Sequence, residues 1–129
     1  MKKQTLFLLA LLLILVPALY AVPAIPYPVT FTQPNGDTLT VRIKGDERIN
    51  WRESMDGYTL LFNEAGYLTY AQLDEEGHLQ PSTFIATDIE KRDDAVKYFL
   101  DTIEPNLWYS EEQIELRLNG QEIEEVQEE

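Results

Sequence analysis

The chain has 129 residues, no cysteine, one histidine, and 10 Lys and Arg against 23 Asp and Glu, for a formal net charge of −13. That length holds one domain plus tails, and the lack of thiols excludes a disulfide framework and thiolate chemistry. The acidity speaks against nucleic acid as a partner, because such a surface repels phosphate backbones.

Lys2 and Lys3, the apolar run Leu6 to Val16 and the small residues Ala18 to Ala21 spell a signal peptide over 1–21, cut after Ala21. The competing reading is an uncleaved anchor, since Leu6 to Pro26 carries no charge and is long enough to span a bilayer. Pro17, Pro23 and Pro26 oppose it by interrupting a helix. The expectation is an exported domain, secreted, periplasmic or on the cell surface, that meets a membrane only through an uncleaved signal segment. Residues 22–28 hold three prolines in seven positions and read as an extended leader.

From residue 29 the pattern alternates. Val29 to Gln33 and Thr38 to Ile43 flank Pro34-Asn35-Gly36-Asp37, a hairpin with Phe31, Leu39, Val41 and Ile43 facing inward. Gly45-Asp46-Glu47 breaks the run, and Arg48 to Glu53 resumes it with Ile49 and Trp51 on one face. Ser54-Met55-Asp56-Gly57 turns into a second hairpin, Asp56 to Ala71, whose arms Tyr58 to Phe62 and Tyr67 to Ala71 flank Asn63-Glu64-Ala65-Gly66. Leu73 to Gly77 repeats that turn logic. Glycines at 36, 45, 57, 66 and 77 fall every nine to twelve residues, the spacing of an antiparallel meander.

Beyond Thr87 the period becomes helical. Ala95, Val96, Phe99, Leu100 and Ile103 share a stripe, and Asp88, Glu90, Asp93 and Asp94 crowd the predicted N-terminal turn, where the helix dipole favours anions. Pro105 ends that helix. Ser110-Glu111-Glu112-Gln113 spells a capping box, so a second helix is expected to Asn119 with Gly120 as its stop. Ile114, Leu116 and Leu118 alternate as a strand would, but the cap and the glycine favour helix. Residues 120–129 read as an acidic, disordered tail. The fold class expected is therefore α+β: an antiparallel β-meander of hairpins over 29–119, ending in one or two C-terminal helices.

Chemistry-bearing patterns are sparse. A zinc site wants three well-aimed ligands, and His78 stands alone in a turn, where a surface role is expected. His78 could serve as a base only if folding brought Ser54, Ser82 or Ser110 beside it, and no nucleophile elbow supports that. Setting Gly77 in a calcium-loop pattern puts Gln72 first and Thr83 last, which fails. No cofactor, metal or catalytic residue is expected. The aromatics Tyr58, Phe62, Tyr67, Tyr70, Trp51, Trp108 and Tyr109 could serve as interface anchors or fill the core and pair across strands; period-2 alternation favours the second for most of them, with Trp51 and Trp108 the least accounted for.

The order of turns carries a resemblance. Gln33 to Thr38, Gly45-Asp46-Glu47, Asp56-Gly57-Tyr58, Asn63 to Tyr67, Tyr70-Ala71, and Leu73 to Gly77 followed by Leu79 and Pro81-Ser82 resemble the N-terminal, propeptide-like region of immune inhibitor A type secreted zinc metallopeptidases. Arg92 to Ile103 and Tyr109 to Gln113 are similar to the segment that leads towards the protease domain in that family. Arg48-Ile49-Asn50 stand where the family often has aromatics, and the zinc-binding His-Glu-x-x-His is missing, so protease activity does not carry over. The resemblance implies a non-catalytic prodomain that binds a protease domain as folding aid or inhibitor. A stand-alone module for a peptide or glycan, or a prodomain severed from its protease, are the alternatives. Asp46, Glu47, Arg48 and Trp51 are the expected contacts, because that polar-aromatic segment between hairpins looks unnecessary for turn geometry.

Overall fold

The computed structural model describes residues 2–4 and 26–127. The expected signal peptide apart from its residues 2–4, and the start of the leader, lie outside the described residues. Among those described, no helix is long and apolar enough to cross a membrane.

Six strands, β1 (Val29–Thr32), β2 (Thr38–Gly45), β3 (Asn50–Ser54), β4 (Thr59–Phe62), β5 (Leu68–Leu73) and β6 (Leu79–Ile85), form one sheet in chain order. Every neighbouring pair is antiparallel. A 3-10 turn at Ile89–Lys91 follows, then helices α1 (Asp94–Asp101) and α2 (Glu111–Gln127). The chain thus adopts the α+β class, a β-meander followed by C-terminal helices.

Four of the five hairpin connections are the same turn. At Gln33, Ser54, Asn63 and Asp74 the first residue's carbonyl accepts from the glycine three positions on, and its N–H donates to the carbonyl of the residue after that glycine. The glycine must have positive φ, as at Gly66 with φ 84°, a conformation that side chains disfavour. Ser54 Oγ, Asn63 Oδ1 and Asp74 Oδ1 accept the N–H of the closing residue at 2.9 Å each. This is the side-chain turn chemistry that short polar residues supply.

Gln33 is too long for that role and does something else. Its Nε2 donates to Leu68 O and Ala86 O at 3.1 Å each, and its Oε1 accepts from Leu68 N at 3.0 Å. The first hairpin turn is thereby fastened to β5 and to the residue after β6, so the sheet is rolled. Asp88 strengthens the roll by accepting Thr40 N at 2.8 Å, which seals β2 beyond its pairing with β3. Asp88 was expected in the turn of a helix; it precedes the 3-10 turn, and Asp93 caps α1 by accepting Val96 N at 2.8 Å.

Side chains alternate between two apolar clusters, one on each face. Leu39, Val41, Leu60, Leu68 and Tyr70 pack with Ala86 and with Val96 and Leu100 of α1. Ala71, Leu79 and Tyr109 pack on the other face, with Ile49, Leu61, Leu107 and Ile114 beside them. β5 is therefore buried on both sides over Leu68–Ala71. The expected inward set holds for Leu39 and Val41, which are in the core, and for Phe31, which packs against it; Ile43 is half-buried.

The α1–α2 connection carries the chain from one face to the other past the β3–β4 turn. Asn106 N donates to Gly57 O at 2.8 Å, and Thr59 Oγ1 donates to Leu107 O at 2.6 Å. At the same turn the buried side chain of Arg92 meets the solvent-exposed Asp56. Its Nη1 and Nη2 donate to Asp56 Oδ2 and Oδ1 at 2.6 and 2.7 Å, and its Nε donates to Tyr70 Oη at 3.0 Å. The guanidinium also faces the rings of Tyr58 and Tyr70. These bonds hold the Asp56 carboxyl below its ordinary range, with the Arg92 hydrogen bonds as the main cause.

α2 settles the conflict at 111–119 in favour of helix and corrects its end. Ile114 and Leu118, four apart, are half-buried, whereas Leu116 is 67% exposed, so the apparent strand alternation comes from one outward leucine. The helix passes Gly120, expected as its stop, and runs to Gln127 through the segment expected as a disordered tail. A glycine inside a helix costs only about 1 kcal/mol, and the glutamates and glutamines that follow are good helix formers.

Candidate functional site

The segment between β2 and β3 begins with an enforced geometry. Gly45 has φ 93°, and a Cβ there would run into the Ile49 carbonyl and the Trp51 ring. Asp46 Oδ1 then accepts Arg48 N at 2.8 Å and Ile49 N at 3.0 Å, while Asp46 N donates to Ile49 O at 3.0 Å. These two backbone donors hold the Asp46 carboxyl below its ordinary range. The expectation that this segment is unnecessary for turn geometry is therefore corrected for Asp46, which braces the turn. Glu47 is exposed in the loop, and Arg48 is exposed beside it.

Trp51 has a different role. It lies edge-on to Trp108, ring centroids 4.0 Å apart, and Trp108 in turn meets Tyr109 at 5.6 Å. The two tryptophans that strand alternation left unplaced thus account for each other, and they fasten β3 to the segment that enters α2. Trp108 remains 37% exposed.

Between this turn and α2 lies an open groove of about 420 Å³. Arg48, Ile49 and Asn50 line one side, Leu116, Arg117 and Gly120 the other, and Tyr109 lies between. The Arg117 guanidinium sits 4.1 Å from the centroid of the Tyr109 ring. Of the four expected contact residues, Arg48 lines the groove, Asp46 and Trp51 support its wall, and Glu47 lies in the adjoining loop. The helix side went unread in the sequence. Its one signal is that Arg117 is the sole base after Lys97.

Gln113 positions that helix side. Its Oε1 accepts Ser110 N at 3.1 Å while Ser110 Oγ accepts Gln113 N at 3.3 Å, the reciprocal capping box read from the sequence. The same amide accepts Leu79 N at 2.8 Å and donates to Leu79 O at 2.9 Å. Because β6 is an edge strand, one side chain both starts α2 and satisfies an exposed strand edge. Gln113→Ala is expected to cost about 2 kcal/mol, from a lost cap and unpaired Leu79 groups. Urea denaturation would give the loss, and hydrogen exchange should show amides of α2 opening ahead of β3–β5.

The other polar residues considered as chemistry are engaged locally. His78 faces Asp74 and Glu76 at 3.7 and 3.6 Å and Glu112 of α2 at 3.2 Å. Ser54 Oγ donates to Asp56, Ser82 Oγ accepts Phe84 N, and Ser110 Oγ caps α2. Among the described residues no group of three or more His, Cys, Asp and Glu is placed to hold a metal ion.

Compared with protein-family models, with curated proteins and with solved structures, the chain matches none.

Proposed function

We propose that this is a non-catalytic, exported binding domain of the prodomain kind, which packs on a secreted metallopeptidase domain through the Asp46–Trp51 side and acts as a folding aid or covers the cleft. The observation that supports it is positional. The turn that departs from plain hairpin chemistry forms one wall of a groove, and its Arg48 lines that groove. The ordered series of turns, similar to the propeptide-like region of immune inhibitor A type peptidases, supplies the kind of partner. A second reading, a stand-alone module for a peptide or glycan, draws on the Trp51–Trp108–Tyr109 series, since aromatic faces suit both ligands.

Titrating the catalytic domain of a zinc peptidase of that type with the protein, and following peptide hydrolysis and refolding yield, tests the proposal. Stoichiometric loss of rate or gain in refolded enzyme is expected, weakened by Arg48→Ala. No binding and no change in either readout would count against a prodomain role.

A further inference from the structure

We propose that the free edge of β1 takes an extended, acidic segment of another protein as an added strand. The inference goes beyond the prodomain reading and does not depend on it, because β1 pairs with Thr38–Val41 while the Asp46–Trp51 turn follows the far end of β2.

The hydrogen-bond phase fixes which groups β1 presents. In an antiparallel ladder, opposed residues alternate between pairs that exchange hydrogen bonds and pairs that do not. Gln33 N donates to Asp37 O, so Phe31–Leu39 and Val29–Val41 are bonded pairs, whereas Thr32–Thr38 and Thr30–Thr40 are not. Thr40 agrees with this phase, since its N–H turns away from β1 to Asp88. The N–H and C=O of Thr30 and Thr32 therefore point away from β2, off the edge of the sheet. Both residues are exposed, and among the described residues no strand or side chain pairs with these groups.

The other edge is closed by the same reckoning. Asp74 N donates to His78 O, so Leu79 and Pro81 hold the outward positions of β6. Gln113 occupies both backbone groups of Leu79, and Pro81 has no N–H to offer. A register shift interrupts the pairing just beyond. Edge strands invite pairing unless charge, proline, a bulge, a cover or short length prevents it. β1, Val-Thr-Phe-Thr, has only its length of four residues as a restraint.

Charge decides the occupant. Phe31 and Val41 face the α1 side, so Thr30, Thr32, Arg42 and Lys44 share the opposite face. Arg42 stands one step beyond the Val29–Val41 pair, at the start of β1. Among the described residues neither Arg42 nor Lys44 is in an ion pair. Glu53, opposite Arg42, is only 7% exposed, and Asp88 is engaged by Thr40 N. On a chain of net charge −13, an uncharged edge strand is thus flanked by two bases. A strand laid along β1 sends alternate side chains to that face, where carboxylates meet Arg42 and Lys44. A second copy of this chain fits less well, since it brings the same two bases to the contact and the same net charge.

The test titrates three peptides into the isotope-labelled full chain and follows amide chemical shifts: acetyl-Val-Glu-Val-Glu-Val-Glu-amide, its Gln counterpart, and a backbone N-methylated form of the first. Shifts centred on Thr30 and Thr32 are expected for the first two, and none for the N-methylated peptide. The Glu peptide should bind about fivefold more tightly than the Gln peptide at low salt, as two exposed ion pairs imply, and lose that advantage at high salt. Arg42→Gln with Lys44→Gln should remove the preference and keep the binding. Thr30→Pro should keep the fold, because that N–H makes no bond within the sheet, and weaken binding about fivefold or more. No binding, equal affinity for the Glu and Gln peptides, shifts centred elsewhere, or binding that survives N-methylation would overturn the proposal. Concentration-dependent shifts of Thr30 and Thr32 in the protein alone would overturn its occupant, assigning the edge to a second copy.

Discussion

Arg92→Ala is expected to destabilise the domain by about 2 kcal/mol, from the loss of charge-assisted hydrogen bonds by a buried guanidinium, discounted because the Asp56 carboxylate is exposed and stays hydrated. The side chain is only 6% exposed, and it holds Asp56 in two hydrogen bonds and the Tyr70 hydroxyl in a third. Asp56 sits in the β3–β4 turn, past which the α1–α2 connection runs, so the loss should be felt on both faces of the sheet. The variant should also alter the acid limb of stability. The folded-state pKa of Asp56 is depressed, so its contribution is present above the ordinary carboxylate pKa of about 4 and is lost as pH falls through the depressed value. Urea midpoints measured between neutral and acid pH should fall less steeply in Arg92→Ala. Asp46 and Asp74 are depressed chiefly by backbone donors and do not depend on Arg92, so part of the acid limb should persist.

Gln33→Ala is expected to cost about 3 kcal/mol, because it takes the side-chain partner from the buried Leu68 N–H and Ala86 carbonyl, while the Leu68 carbonyl keeps only the Ala86 N–H. The bonds it removes fasten the first hairpin to Leu68 and Ala86. Amides of β1 and β2 should therefore exchange faster than those of β4 and β5. Gln33→Glu is the sharper variant. Its carboxylate would face two carbonyl oxygens, so burial would raise its folded-state pKa, and stability would be greatest at acid pH and lost as pH rises through that value. That is the reverse of the Asp56 trend, and a pH series of urea midpoints distinguishes them.

The parts of this molecule that were legible in the sequence are those governed by short-range rules. Asn63 to Gly66 announces its turn because Asn can accept the closing N–H and Gly can take positive φ, and Ser110 with Gln113 announces a helix start for a similar reason. The strand alternation of Leu39 and Val41 reports a face. The illegible parts depend on distant groups. Gln33 resembles any polar turn residue until folding brings Leu68 and Ala86 to its amide. Trp51 and Trp108 are 57 positions apart in the chain, and only the return of the C-terminal segment lays one ring against the other. The groove was half legible for that reason. Its turn side is a contiguous segment, whereas Tyr109 and Arg117 join it through the docking of α2. Asp46 was misread because an aspartate that braces a loop and one that awaits a partner look alike until the amides of Arg48 and Ile49 are seen around its oxygen.

Hydrogen exchange on the protein alone and with a zinc peptidase domain of the immune inhibitor A type tests the prodomain reading most directly. Slowed exchange confined to Asp46–Trp51 and to the α2 turn around Arg117 is predicted on mixing. Unchanged exchange throughout, or protection centred on α1 and the opposite face of the sheet, would contradict it.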